Sequence, residues 1–110
     1  MADVDAAIDA GEQALNSLYA LQTAAMKAGD LATQKALSDD IDDLTYKLTQ
    51  LRSSEIAADD TQIAALSRQL DEVTASAQAD MADLTRLNQV LSDVLTATKL
   101  LDAVIGAAPK

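Results

Sequence analysis

Leu84-Thr85-Arg86-Leu87-Asn88-Gln89-Val90-Leu91-Ser92-Asp93-Val94-Leu95-Thr96-Ala97-Thr98-Lys99-Leu100-Leu101-Asp102-Ala103-Val104-Ile105 is the most apolar stretch of the 110-residue chain. In alternating steps of three and four it reads Leu84, Leu87, Leu91, Val94, Thr98, Leu101 and Ile105. That spacing places apolar side chains along one edge of a helix. Val90, Leu95, Ala97, Leu100 and Val104 widen the edge to well over half the circumference. A narrow polar stripe remains, made of Thr85, Gln89, Ser92, Thr96 and Lys99 with Arg86 and Asp93 beside them. A helix this apolar needs several neighbours to cover it. The fold class that follows is all-α: an antiparallel helical bundle in a single domain spanning residues 1–110.

Working outward, the rest of the chain carries the same period. Val4, Ile8, Leu15, Leu18 and Ala25 recur at helical spacing near the N-terminus, with Leu21 beside them and Gly11 in the same seam. A glycine there costs a helix about 1 kcal/mol relative to alanine and suits a close helix approach. Ala28-Gly29-Asp30 combines a helix stop with a new N-cap and is the clearest turn in the sequence. Leu37, Ile41, Leu44, Leu48 and Leu51 then form a strict heptad series. The pattern slips between Arg52 and Thr61, where serines and aspartates supply helix-ending and helix-starting chemistry, so a loop is expected within 53–60.

From Ile63 the spacing runs through Leu66, Leu70, Val73 and Ala77, meets Asp80, and resumes at Leu84 in phase. One helix over 60–106 would be about 70 Å long and would suit a three-helix chain in a dimer. It would also set Asp80 in an apolar seam, where a lone carboxylate is costly. A break at Ser76–Asp80, with Asp80 as the N-cap of the last helix, avoids that cost. The preferred layout is therefore four helices, at about 3–28, 30–53, 60–77 and 80–106, with Gly106 and Pro109 ending the last. Residues 1–29, 30–58, 59–80 and 81–110 carry formal charges of −3, −3, −4 and 0. The neutral, most apolar segment is the one the acidic segments are expected to surround.

Composition narrows the function. The 8 lysines and arginines face 18 acids, for a net charge of −10. No cationic cluster exists to hold a phosphate backbone or an anionic membrane surface, so neither nucleic acid nor membrane is an expected partner. Histidine and cysteine are both absent, which removes the commonest general base, the commonest transition-metal ligand and every thiolate. No spacing of Ser, Lys or Tyr suggests a nucleophile with its base, and three scattered glycines build no phosphate loop. The expectation is a protein that is not an enzyme and carries no catalytic residue, cofactor or metal.

The densest carboxylate group, Asp39, Asp40, Asp42 and Asp43, fails as a calcium loop. Leu44 stands sixth from Asp39 where glycine belongs, and Gln50 twelfth where glutamate belongs. Asp39, Asp40 and Asp43 are read instead as a solvated acidic face, on which Asp40→Asn would be nearly silent. Tyr19 and Tyr46, the only aromatics, lie beside apolar seams and are expected to be partly buried with wet hydroxyls. The N-terminus is acidic, unlike a secretory leader, and charges interrupt the one long apolar segment, so the expected location is the cytoplasm, with export by a route that reads no N-terminal signal as the alternative.

The heptads carry the functional expectation: an acidic helical bundle that mediates protein–protein interaction or self-association. Much alanine, few aromatics and one very apolar helix favour a homodimer. The core or interface would be formed by Leu84, Leu87, Leu91, Val94, Leu101 and Ile105 with Leu44 and Leu48, and Leu91→Asp should unfold or dissociate it. The alternative is a small acidic chaperone or antagonist of a basic protein partner.

Overall fold

Four helices are formed by the described residues: α1 (Val4–Ala28), α2 (Leu31–Ser53), α3 (Asp60–Asp80) and α4 (Leu87–Gly106). The structure is a computed structural model and describes residues 4–53, 60–81, 83 and 87–106. The expected loop within 53–60, Leu84 and Pro109 therefore lie outside the described residues, except that Ser53 closes α2 and Asp60 opens α3.

The α1–α2 corner forms where the sequence places it. Gly29 takes the left-handed backbone (φ 73°) that only glycine adopts without strain. Its N–H donates to the Met26 carbonyl, and the Asp30 N–H reaches back to the Ala25 carbonyl at 3.0 Å. Those are the two bonds of a Schellman stop. Asp30 then caps α2, accepting from the Thr33 N–H at 3.1 Å and the Thr33 hydroxyl at 2.6 Å. The hydroxyl bond first, and the amide bond second, hold its carboxyl below the usual carboxylate range.

The helices form a bundle with α1 packed on α2 and α3, and α4 packed on the same two. So α1 stands diagonally across from α4, and α2 across from α3. Lys47 of α2 pairs with Asp102 of α4, each near the C-terminal end of its helix, so these neighbours run parallel. The bundle is thus two antiparallel hairpins laid side by side, with the chain crossing the diagonal between α2 and α3.

The core is continuous through all four helices. From α2 it takes Leu37, Ile41, Leu44, Leu48 and Leu51, and from α3 Ile63, Leu66, Leu70, Val73 and Ala77. The strict heptad of α2 is buried as read. Two other seams differ from their reading.

In α1 the buried positions are Ala7, Ala10, Gly11, Ala14, Ser17, Leu18, Leu21 and Ala25, whereas Val4, Ile8 and Leu15 are only partly covered. Small residues are inside because α1 lies close to its neighbours. A Cβ on Gly11 would come 2.5 Å from Leu48 Cδ2. In α4 the seam turns toward Val90, Val94, Ala97, Leu101 and Val104. Leu91 and Ile105 are half-buried and Leu95 is 57% exposed. The expectation that the apolar segment sits at the centre is corrected: α4 is one corner of the bundle, with two well-packed neighbours.

The junction of the last two helices is also corrected. α3 continues through Asp80, which is its final residue and not the N-cap of α4. The Met81 N–H bonds the Ala77 carbonyl and the Asp83 N–H bonds the Asp80 carbonyl. Asp80 keeps the phase of Val73 and Ala77 and is buried, with 1% exposure. The chain accepts that carboxylate at a helix end and turns after it, so a single helix over 60–106 is excluded as well.

Candidate functional site

With the large aliphatics of the seams closed into one core, any chemistry lies on the outer faces. Among the described residues no group of three or more acids could hold a metal ion. No described helix is long and apolar enough to cross a membrane.

The first surface is the α2–α4 side. Asp39 and Asp43 are exposed on α2, as the acidic-face reading requires. Asp40 departs from it. A 100° turn per residue sets Asp40 about 40° from Leu44 and about 60° from Leu37 around the helix, on the edge of a seam in which both are buried. Its carboxylate is half-buried, and Oδ2 is covered with no hydrogen-bond donor. Burial pushes its pKa up to about 6, and the carboxylates of Asp43 and then Asp39 add to the rise. The three aspartates are close enough to raise the Asp40 pKa, yet only two form a wet face.

Further along the same side, the Lys47 ammonium donates to Asp102 Oδ1. That hydrogen bond holds the Lys47 pKa above its ordinary value. Tyr46 and Leu95, at 61% and 57% exposure, are the large apolar side chains left open on these two helices apart from Leu31. On the adjoining side α3 and α4 are joined through Asp93. Gln69 donates to its carbonyl at 3.0 Å, and Ser76 and Gln89 donate to its carboxylate.

The second surface was not singled out by the sequence. Turning the alanines of α1 inward turns Ile8, Leu15, Tyr19 and Met26 toward the rim. Tyr19 and Met26 are 50% and 61% exposed, and Ile8 and Leu15 are half-buried. At 100° per residue the four lie within about 40° of one another around the helix. Leu31, just past the turn on α2, is the most exposed large apolar side chain among the described residues. The signal in the sequence was the small-residue series Ala7, Ala10, Gly11, Ala14, Ser17, which competes with the Ile and Leu series for the inside.

The interface residues expected from the sequence divide accordingly. Leu44, Leu48, Val94 and Leu101 are fully buried within the chain, and Leu91 and Ile105 sit at the rim. Leu87 opens α4. Comparison of the chain with protein-family models, curated proteins and solved structures gives no match.

Proposed function

We propose that this protein is a non-enzymatic acidic helical bundle that works by protein–protein interaction through its outer faces. The observation that carries this reading is the division of its apolar side chains. The four seams close on one another inside a single chain, while Tyr19, Met26, Leu31, Tyr46 and Leu95 stand exposed. Large side chains that the core does not need are the usual anchors of a partner. The absence of His and Cys from the sequence weighs against catalysis by the commonest routes.

The test is a photo-crosslinking amino acid placed singly at Tyr19, Met26, Tyr46 and Leu95 in cells that naturally make the protein. Adducts of defined mass from one face only, lost when a glutamate is placed beside the probe, are the expected result. No adduct from any of the four positions would overturn the reading. A second reading, docking of a basic protein, is favoured by the α2–α4 pair, on which Asp39, Asp43 and Asp102 are exposed as well as Leu95 and Tyr46. There, binding of a cationic amphipathic peptide should weaken steeply with added salt.

A further inference from the structure

Resting on that reading, we propose that the partner of the α1 rim is a second copy of this chain, paired antiparallel along Ile8, Leu15, Tyr19 and Met26. The spacing of these residues is seven, four and seven, the same read from either end. Such a stripe is self-complementary under a two-fold axis perpendicular to the helix, which is what an isologous interface requires. The axis falls level with residue 17. It sets Ile8 of one chain against Met26 of the other and Leu15 against Tyr19, so a half-buried aliphatic meets an exposed, longer side chain at every step.

Charge follows the same symmetry. The flank of α1 beside the stripe is acidic toward its start, with Asp5 and Asp9, while Glu12 pairs with Arg52 of α2; it is basic toward its end, with Lys27, and all of these residues are exposed. A two-fold axis of this kind keeps each flank on its own side. Lys27 therefore falls level with residue 7 of the second copy, between its Asp5 and Asp9. Two such pairings form, one at each end of the stripe. A parallel pairing would put the two flanks on opposite sides of the seam and form neither of these pairings. On α2, the helix packed beside α1, Thr45 and Thr49 are exposed and Ser38 half-buried, small side chains that let a second chain approach. A shallow crossing of about 20° keeps the full stripe in register.

This dimer differs from one made by sharing the core seam, because each chain keeps its own closed bundle. Sedimentation or light scattering from about 1 µM to several hundred micromolar should show a concentration-dependent dimer. Tyr19→Glu should weaken it about tenfold or more with unchanged helix content, and Met26→Glu, at an equally exposed position, should do the same should the first variant fold poorly. Leu95→Glu, on α4 diagonally across the bundle from α1, should leave the dimer as it is.

Orientation is read by disulfide trapping, which is clean because the chain has no cysteine. A mixture of Glu12→Cys and Thr23→Cys chains should cross-link 12 to 23 faster than either chain cross-links to itself. A monomer across the whole range overturns the proposal. So does a dimer that ignores both glutamates, or one that prefers 12–12 and 23–23 bonds. None of these outcomes alters the crosslinking test in cells, so a chain that stays monomeric there can still show a different protein on its outer faces.

Discussion

Helices α1 and α2 are joined by a two-residue turn, yet they bury opposite kinds of side chain. The inner face of α2 is leucine and isoleucine with one threonine; that of α1 is four alanines, one glycine and one serine with only two leucines. They fit because a large knob needs a small hole. Leu48 is fully buried and fills the space that a Cβ on Gly11 would take. The difference teaches where the stabilisation sits. Each large aliphatic buried on α2 contributes roughly 1.5–3 kcal/mol. Alanine contributes much less, so α1 holds its place by close approach and by what its few leucines bury.

The largest expected effect is therefore on the leucine side. Leu48→Ala should cost about 2–5 kcal/mol, because transfer energy is lost and a cavity is left that rigid neighbours only partly refill. Leu15→Ala, the same chemical change on the half-buried rim of α1, should cost well under half of that. Urea unfolding of the two variants compares them directly. Equal losses would mean that the rim of α1 is core after all. Leu91 belongs with Leu15 here: half-buried, it makes Leu91→Asp a milder lesion than Leu101→Asp, contrary to the weight that heptad spacing alone gives it.

The next effect reverses the sign of the volume change. Ala14→Leu forces extra methylenes between α1 and its neighbours at a position with no exposure. Overpacking of that kind costs about 1–3 kcal/mol. Better helix propensity cannot offset it, since alanine is already the best helix former. A thermal melt that rises with Ala14→Leu would mean that a void, not a close contact, lies beside Ala14.

Gly11 and Leu48 then test whether the two seams are coupled. Gly11→Ala gains about 1 kcal/mol of helix propensity but drives a Cβ into Leu48. Leu48 is flexible but enclosed, so the single variant should be neutral to destabilising by about 1–2 kcal/mol. Made in a Leu48→Ala background, Gly11→Ala should become stabilising. A coupling of about 0.5–3 kcal/mol in the double-mutant cycle is the expected result. Additive effects would dissolve the knob-and-hole account of this corner.

How much of this could be read from the residues depended on how loudly they signal. The α2 heptad is leucine-rich and strictly spaced, and every position of it is buried. The Gly29 stop and Asp30 cap are short-range chemistry and need no tertiary context. α1 was legible as a helix but not in its rotation. Ile8 and Leu15 outweigh alanine on any hydrophobicity scale, and only the proximity of neighbouring helices makes alanine the better inner residue. α4 was rotated for a related reason: with apolar residues around most of its circumference, spacing cannot choose the edge, and its two neighbours do. Asp80 misled because an acid in a seam looks like a cap, whereas it closes α3, at the end of the helix where the dipole disfavours an acid. The α1 rim went unread because it became an outer surface only once the alanines were known to face in.

The smallest expected effect concerns the flank of the large seam. Asp40 stands on the edge of the seam that holds Leu37 and Leu44, a relation visible in the numbering but hidden by the density of acids around it. Its folded pKa of about 6 lies above the roughly 3.9 of an unfolded aspartate. Between those values the native state binds more protons than the unfolded state. Stability from this group therefore rises as pH falls from 7 through 6, and levels off below about 4. Water still reaches the half-buried side chain, which reduces the effect to about 1 kcal/mol. Asp40→Asn should raise stability at pH 7 by a similar amount and flatten the pH dependence between 7 and 5. Asp39→Asn and Asp43→Asn, which only relieve repulsion from the exposed side, should raise it less. Equal gains from all three would mean that net charge alone is at work, and that the seam of α2 has no polar edge facing its leucines.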